Sequence, residues 1–238
     1  MAANIKLIYI IKSILKPRGK SKFLNIINHK GKLLDVGCGN NSSYYIKTIY
    51  PKTHYTGIDV GDYNQQKPNL ADEYIITSPE KFTETIVNLD KKYDTLISSH
   101  NLEHCNDREK TIDAIITKLN INGYLYLSFP TEKSIEFPKF RNGCLNYFDD
   151  SSHKDKPPDF NKIVNKLQSQ GMKIIFSSKS YKPIILYIIG FFMEWKSKKE
   201  KKVKAGTWAY WGFEAIIWAK KILNDHIVEG KHNRNNGT

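Results

Sequence analysis

The stretch Leu33 to Asn41, LLDVGCGNN, decides how this chain of 238 residues is interpreted. It starts as a short apolar strand and passes through Gly37-Cys38-Gly39 into a predicted helix, Ser42 to Tyr50, which Pro51 ends. Glycines at such a turn let the backbone approach a ligand, and free N–H groups at a helix start can bind an anionic group. The stretch therefore predicts a nucleotide-like ligand beyond the carboxyl end of a buried strand.

A second acid strengthens this prediction. The segment HYTGIDV, His54 to Val60, is a predicted strand that ends in Asp59, 24 residues after Asp35. A carboxylate at that strand tip can accept from both hydroxyls of a ribose, and Asp35 can accept from an ammonium or order the loop. The competing interpretation is that both acids only cap turns.

The rest of the chain alternates strands with helices, which indicates an α/β domain rather than a bundle or sandwich. We predict one domain over 31–225, preceded by a helical, basic segment (1–30) and followed by a frayed tail (226–238). Further strands are predicted at 73–77, 93–99, 124–129, 172–178 and 213–219, and helices at 80–89, 107–119 and 158–170. A long loop (131–158) and an aromatic-rich insertion (183–210) interrupt the pattern.

Composition constrains the setting. The net charge of +13 suits an anionic partner, although an abundance of Lys, Ile and Asn is also what coding bias alone produces. Cys38, Cys105 and Cys144 form no metal-binding or disulfide pattern, so we expect a reducing, cytoplasmic location. The apolar run Ile184 to Met193 is too short to cross a bilayer and predicts a buried or interfacial helix.

The motifs LLDVGCGNN and YTGIDV, with ISSHNLEHCND after the fourth strand, resemble class I S-adenosylmethionine-dependent methyltransferases. The resemblance implies a Rossmann-like, mostly parallel seven-stranded sheet with helices on both faces and an antiparallel last strand. It implies S-adenosylmethionine as cofactor and S-adenosylhomocysteine as product. No metal is expected, because the spacing of the candidate ligands matches no metal motif. The resemblance implies cofactor contacts from Asp35, Gly37, Cys38, Gly39, Asp59, Val60, Thr77, Ser78, Ser99 and His100. Asn40 and Asn41 stand where a full dinucleotide fingerprint continues, which argues against a dehydrogenase using NAD.

More narrowly, SHNLEHCND, SFPTEKS and LNYFDDSSHKDKPP resemble methyltransferases of bacterial capsule and lipopolysaccharide gene clusters. That resemblance implies O-methylation of a sugar hydroxyl, on a nucleotide-linked sugar or a surface-polysaccharide precursor. A nucleic-acid methyltransferase is the alternative enzyme, but no Pro-Pro motif follows the fourth strand. A nucleotide-binding scaffold without catalysis is the non-enzymatic alternative.

Transfer to a hydroxyl requires a base, because the acceptor oxygen loses its proton as the new bond forms. His104 and His100 follow the fourth strand and are the first candidates, and Glu103 can orient an imidazole. Asp149 and His153 in the long loop are further candidates for catalysis and acceptor binding. These loop acids and histidines could also ligate a divalent ion, but their spacing matches no metal motif.

Two surface features complete the predictions. Lys139 and Arg141 are candidate phosphate contacts for a nucleotide-linked acceptor, with plain surface charge as the alternative. The aromatic segment from Tyr187 to Trp218 can form a sugar-stacking wall, a homodimer surface or core. The run IILYIIGFFMEW with the lysines after it also suits peripheral membrane contact.

Overall fold

The computed structural model describes residues 2–27, 31–39, 41–62 and 66–222, and its centre is a seven-stranded sheet. The strand order is β3-β2-β1-β4-β5-β7-β6; β3 to β5 are parallel, and β7 lies antiparallel between β5 and β6. This confirms the predicted Rossmann-like sheet with an antiparallel last strand. The strands are β1 Lys32–Val36, β2 His54–Asp59, β3 Glu73–Ile76, β4 Tyr93–Ser99, β5 Leu119–Pro130, β6 Met172–Ser178 and β7 Glu214–Lys221.

Helices cover the sheet, and most of the predicted ones are present. Asp107 caps α5 by accepting from the Lys110 N–H group at 3.0 Å, and Asp159 caps α6 in the same way. The helices are α1 Ala2–Leu15, α2 Lys20–Leu24, α3 Ser42–Ile49, α4 Phe82–Val87, α5 Arg108–Thr117, α6 Phe160–Ser169, α7 Ile184–Glu200 and α8 Thr207–Trp211. Three short 3-10 turns lie at Leu102–His104, Glu132–Glu136 and Tyr147–Asp149.

Apolar side chains on both faces of the sheet form the core. Residues after Lys32 in β1 are all buried, as expected for a parallel strand covered on both faces. One cluster joins alternate residues of the central strands to α4, α5 and α6, and a second joins the opposite face to α2 and α3. The sheet is therefore rigid at the strand ends that carry the predicted site.

The register aligns the carboxyl ends of three neighbouring strands. Val36 of β1 pairs with Ile58 of β2 and with Ser98 of β4, so Gly37, Asp59 and Ser99 follow at one edge. From β1 the chain adds β2 and β3 on one side of the sheet, and from β4 it adds β5 on the other side. The boundary between β1 and β4 is therefore the topological switch point, where open α/β sheets bind ligands. The site residues predicted from separate motifs thus meet at one edge.

Several predicted element boundaries are wrong, and the largest error lies at the junction of α5 and β5. Helix α5 ends at Thr117 rather than Leu119, and Asn122-Gly123 lies inside β5 instead of closing the helix. The cause is tertiary pairing, since Leu119 already pairs with Tyr93 of β4. The apolar face of Ile112 and its neighbours therefore belongs to a shorter helix.

The predicted insertion contains two helices, α7 and α8, and the N-terminal segment contains α1 and α2. Cys38, Cys105 and Cys144 are free thiols, of which the first two are buried. Residues 226–238 lie outside the described residues, so the frayed tail and the domain limits stay predictions.

Candidate functional site

The turn after β1 has a conformation that favours glycine. Gly37 has a φ of +73°, and its N–H group donates to the Ile58 carbonyl at 2.8 Å. A Cβ atom at this position would lie 2.6 Å from Asn101 side-chain atoms. Residue 37 is therefore glycine for two physical reasons, a left-handed backbone and the close approach of the loop after β4.

Asp35 lies directly beneath this turn and is fully buried. Its Oδ2 accepts from the Ser42 hydroxyl at 2.6 Å and the Tyr55 hydroxyl at 2.9 Å, and lies 3.7 Å from Lys20 Nζ. Its Oδ1 has no hydrogen-bond partner among the described residues. A buried carboxylate oxygen without a donor carries a large desolvation cost, so this oxygen is suited to a cationic ligand group.

Asp59 holds the same turn from the neighbouring strand. Its Oδ2 accepts from the Gly39 N–H group at 2.6 Å and its Oδ1 from the Val60 N–H group at 2.7 Å. Both oxygens of the carboxylate therefore help to hold the turn in place. Asp59 is almost completely buried, yet it lines a cavity.

That cavity has a volume of about 900 Å³ and extends across the carboxyl edge of the sheet. It is large enough for a nucleoside with an attached amino acid. Beyond β3 it is lined by Pro79 and Glu80 rather than by the predicted Thr77 and Ser78. The Thr77 hydroxyl instead bonds that of Thr85 at 2.9 Å. Its other lining residues include Gly37, Asp59, Val60, His100, Asn101, His104, Asn106, Lys110, Asp150, Ser152 and Lys154.

A second cavity of about 390 Å³ lies on the other side of the glycine turn, against α1 and α2. It is lined by Cys38, Gly39 and Ser99, and it shares Gly37 and His100 with the larger cavity. Lys20 contributes a cation here and donates to the Ser42 hydroxyl at 3.2 Å. The glycine turn is therefore accessible from both sides.

His100 has both ring nitrogens engaged. Nδ1 lies 3.1 Å from Glu103 and Nε2 lies 3.3 Å from Glu214, whose other oxygen accepts from Lys16. Burial opposes the charged imidazole, but the two carboxylates outweigh it and raise the pKa of His100 to about 9. An imidazolium with two carboxylate partners is a poor proton acceptor at neutral pH, which argues against His100 as the base.

His104 has a different environment. Its Nδ1 lies 3.0 Å from the Ser152 hydroxyl, which in turn lies 2.6 Å from Asp150 Oδ1. Burial would raise the pKa of Asp150, but hydrogen bonds from Ser152 and the neighbouring imidazoles lower it, so Asp150 is a carboxylate. Because a hydroxyl has one hydrogen, Ser152 donates to Asp150 and accepts from His104 Nδ1–H. Nε2 of His104 then keeps its lone pair.

His153 packs against His104 with ring centroids 4.8 Å apart. Its Nδ1 donates to the Tyr147 carbonyl at 2.6 Å, and burial lowers its pKa. Glu103, His104 and His153 each offer one ligand atom, and these atoms lie within 4.8 Å of one another. Glu103 is buried, and its Oε2 has no hydrogen-bond partner among the described residues.

The other predicted loop residues are placed differently. Asp149 accepts from the backbone N–H groups of Phe140, Leu145 and Asn146, so its carboxylate organises the loop. Arg141 and Lys139 are exposed, and neither lines the 900 Å³ cavity. The cations that do line it are Lys110 and Lys154. These placements argue against catalysis by Asp149 and against phosphate contacts from Lys139 and Arg141.

Sequence reasoning missed several contributors to the site. Lys20 and Glu214 are distant in sequence from the residues that they contact, and only the assembled sheet and helices bring them there. Ser152 lies in the run DDSSHKD, and its position beside the candidate His153 was the one weak sequence indication that it belongs to the site. Asn101, next to His100, gave no signal of its own.

The aromatic insertion is partly core. Trp208 stacks near His100 and Phe213, and its Nε1 donates to the Cys144 carbonyl at 2.6 Å. Phe140 and Leu145 of the long loop pack with Phe213 in a small cluster. The insertion therefore supports the loop that carries Ser152 and His153.

Comparison with known proteins agrees with this geometry. Residues 9–157, more than half of the chain, match the family described as "Methyltransferase domain". The chain belongs to this family. The predictions of a methyltransferase and of S-adenosylmethionine as its methyl donor are thereby confirmed at the level of the family.

One curated relative of this methyltransferase domain is an uncharacterized protein of Methanocaldococcus jannaschii. The two are 30% identical over 124 residues, which are 49% of this chain and 32% of the relative. The matched segment thus spans about a third of the length of that relative.

Solved structures share the fold. A SAM-dependent methyltransferase from Archaeoglobus fulgidus aligns with a TM-score of 0.53 and 14% identity over 91% of this chain and 94% of that one. The plantazolicin methyltransferase in complex with SAH aligns with a TM-score of 0.57 and 16% identity, over 93% of this chain and 90% of that one. The [4+2]-cyclase SpnF aligns with a TM-score of 0.52 and 14% identity, over 90% of this chain and 82% of that one. At these identities the likeness concerns the fold alone.

Proposed function

We propose that this chain transfers the methyl group of S-adenosylmethionine to a sugar hydroxyl, on a nucleotide-linked sugar or a surface-polysaccharide precursor. The observation that carries the proposal is a shared cavity. Gly37, Asp59 and His104 line the same volume of about 900 Å³. Residues suited to holding an adenosyl ligand and a side chain suited to removing a proton therefore face one space.

The residues present fit the methyl donor. Asp35 Oδ1 is a buried acceptor without a donor, which suits the ammonium of the methionine part. Gly37 lines the cavity with backbone alone in its left-handed turn, and the Asp59 carboxylate lines the same cavity where a ribose would lie. Glu80 lines the cavity beyond β3 and is the acceptor that we propose for the adenine amine. When bound, S-adenosylmethionine would supply an electrophilic methyl group on a sulfonium sulfur, with S-adenosylhomocysteine as the leaving group opposite the acceptor oxygen.

We assign the base to His104. The Asp150–Ser152 pair holds its Nδ1–H and leaves Nε2 free to take the acceptor proton as the new oxygen–carbon bond forms. In this arrangement Ser152 and Asp150 are positioning residues, since they act through the orientation of the imidazole. The second imidazole, His153, packs against His104 and limits its rotation.

The acceptor proposal draws on the cavity wall and on the resemblance to enzymes of polysaccharide clusters. Asn106, Asp150 and Ser152 supply polar groups of the kind that bind sugar hydroxyls. Lys110 and Lys154 line the same cavity and can pair with phosphates of a nucleotide. We therefore propose that these two lysines, instead of Arg141 and Lys139, contact the phosphates of the acceptor.

The test uses S-adenosylmethionine labelled on the methyl group with three acceptor pools: nucleotide sugars, nucleic acid and lipid extract. Label should enter the nucleotide sugars. His104→Gln should lower kcat about a hundredfold or more, because general base catalysis is typically worth that factor. It should leave S-adenosylhomocysteine binding unchanged by calorimetry. The matched control is His54→Gln, on β2 at the opposite edge of the sheet, which should keep full activity.

Ser152→Ala separates orientation from chemistry. It should lower kcat less than His104→Gln and shift the pH profile, because the imidazole loses the group that selects its tautomer. Label in nucleic acid alone would refute the sugar acceptor. Binding of S-adenosylhomocysteine without label in any pool would favour a non-catalytic scaffold. Loss of turnover after chelator treatment would favour the competing mechanism, in which Glu103, His104 and His153 hold a divalent ion.

A further inference from the structure

Helix α7 turns its apolar side to solvent and its small and polar side to the protein, the reverse of an ordinary surface helix. The side facing the protein presents Gly190, Glu194 and Ser197, which are buried. The side facing solvent presents large apolar residues, among which Ile184 is 76%, Phe192 67% and Trp195 66% exposed. A helix on a water-facing surface normally buries its apolar stripe and exposes its polar one. The outward face therefore needs a non-aqueous partner.

Specific contacts lock this orientation. A Cβ atom at Gly190 would lie 2.2 Å from the Gly206 carbonyl oxygen, so only glycine permits the close approach of α7 to the start of α8. The Ser197 hydroxyl bonds that of Thr207 at 2.9 Å, and Trp211 Nε1 donates to Glu194 at 3.0 Å. Rotating the helix to bury its apolar side would break these bonds.

A dense positive charge follows the apolar face. Residues 196–204 contain six lysines and one acid, Glu200. Only Lys198 and Lys204 form ion pairs with acids of this part of the described chain, with Glu194 and Glu200. Lys196 and Lys199 are exposed. An apolar helical face followed by uncompensated lysines is typical of surfaces that bind anionic lipid.

A second helix has the same character and lies beside the first. Leu7, Ile10 and Ile14 of α1 are each more than half exposed. Lys12 and Lys16 of α1 line a cavity together with Leu186 of α7, so the two helices border the same cavity. Among the helices of the described residues, none is both long enough and apolar enough to cross a membrane.

We propose that α7, with α1 beside it, docks this protein on the surface of an anionic membrane, its apolar side chains among the headgroups and its lysines at the lipid phosphates. A second copy of the chain would cover the apolar face but would not neutralise the lysines, so charge favours the lipid. This docking is independent of the acceptor proposed above.

Sedimentation with vesicles tests the proposal. The protein should sediment with vesicles of phosphatidylcholine mixed with phosphatidylglycerol far more than with phosphatidylcholine alone, and added salt should weaken the binding. Replacing Lys196 and Lys199 together by Gln should lower the partition about thirtyfold, because each surface lysine contributes a factor of about five. The matched control replaces Lys52 and Lys92 by Gln, an equal charge change at the amino edge of the sheet.

A second variant tests the apolar face. Phe192→Ser with Trp195→Ser should reduce vesicle binding, whereas Ile175→Ser, an exposed apolar position on β6, should not. Circular dichroism and the urea midpoint check that each variant is folded. Wild-type protein that stays in the supernatant with anionic vesicles overturns the proposal. A dimer in sedimentation velocity that Phe192→Ser dissociates, together with no vesicle binding, would identify a second copy as the occupant instead.

Discussion

At the scale of single residues, the site depends on backbone positions that tolerate little change. Gly37 combines a left-handed φ with a position at which a Cβ atom would lie 2.6 Å from Asn101, and Asp59 accepts from two N–H groups of the turn that it supports. His100 also has a positive φ, +52°, and is held there by two carboxylates. The loop after β4 and the turn after β1 thus constrain each other.

Gly37→Ala should therefore both destabilise the fold and impair ligand binding. A left-handed L-residue costs about 1–2 kcal/mol, and the contact with Asn101 adds to it. The urea midpoint should fall, and calorimetry should detect weaker binding of S-adenosylhomocysteine. The double variant Gly37→Ala with Asn101→Gly removes the contacted side chain and should recover part of the loss. Equal losses in the single and double variants would mean that the contact with Asn101 is unimportant.

At the scale of elements, caps and strand pairing decide where each segment ends. Asp107 begins α5 as its sequence position predicts, whereas α6 is capped by Asp159, one residue after the predicted start at Pro158. The end of α5 is instead decided by β4, since Leu119 leaves the helix to pair with Tyr93. The orientation of α7 is decided by α8, which accepts its small and polar side rather than its apolar one.

Asp159→Ala tests the cap of α6 without touching the cavities. The carboxylate accepts from the Lys162 N–H group at 2.9 Å, and loss of such a cap typically lowers the free energy of unfolding by about 1 kcal/mol. Urea unfolding should show this loss, while the affinity for S-adenosylhomocysteine should stay at the wild-type value. Asp159→Asn, which can still cap, is the control. An unchanged midpoint in Asp159→Ala would show that α6 is stabilised by packing alone.

At the scale of the whole molecule, one ion network joins the N-terminal helix to two strands. Glu214 of β7 binds Lys16 of α1 and His100 after β4, and Glu103 binds the other side of the imidazole. Burial would raise the pKa of Glu214, but Lys16 and His100 lower it to about 2. His100 and Glu214 are therefore both charged in the neutral range.

This network predicts how stability varies with pH. Folding raises the pKa of His100 from about 6.5 to about 9, so its contribution is complete below about pH 6.5 and is lost as pH rises through about 9. The difference in free energy of unfolding between wild type and His100→Gln should therefore shrink from pH 6 to pH 10. With Glu214→Gln as background, this decline should move to lower pH. A difference that stays constant with pH would contradict a charged His100.

Much of this protein could be predicted from local sequence. Period and turn chemistry predicted the strands, the Gly37–Gly39 turn and Asp59 at a strand tip, because those signals arise between residues a few positions apart. The histidines after β4 were also predicted, but their roles were not distinguishable. His100 and His104 have the same local context, and only distant partners separate them.

Those partners depend on tertiary structure. Glu214 meets His100 across 114 positions because β7 lies beside β5 in the sheet. Sequence alone makes Asp149 a catalytic candidate, but in the folded loop its carboxylate accepts from three backbone N–H groups. The outward face of α7 has the composition of a core helix, and its contacts with α8 turn it to the surface. Local sequence thus determined the helices, the strands and the sheet edge that carries the glycine turn. Long-range packing decided the protonation of His100, the partners of Asp149 and the exposure of α7, because each of these depends on neighbours that only the folded chain supplies.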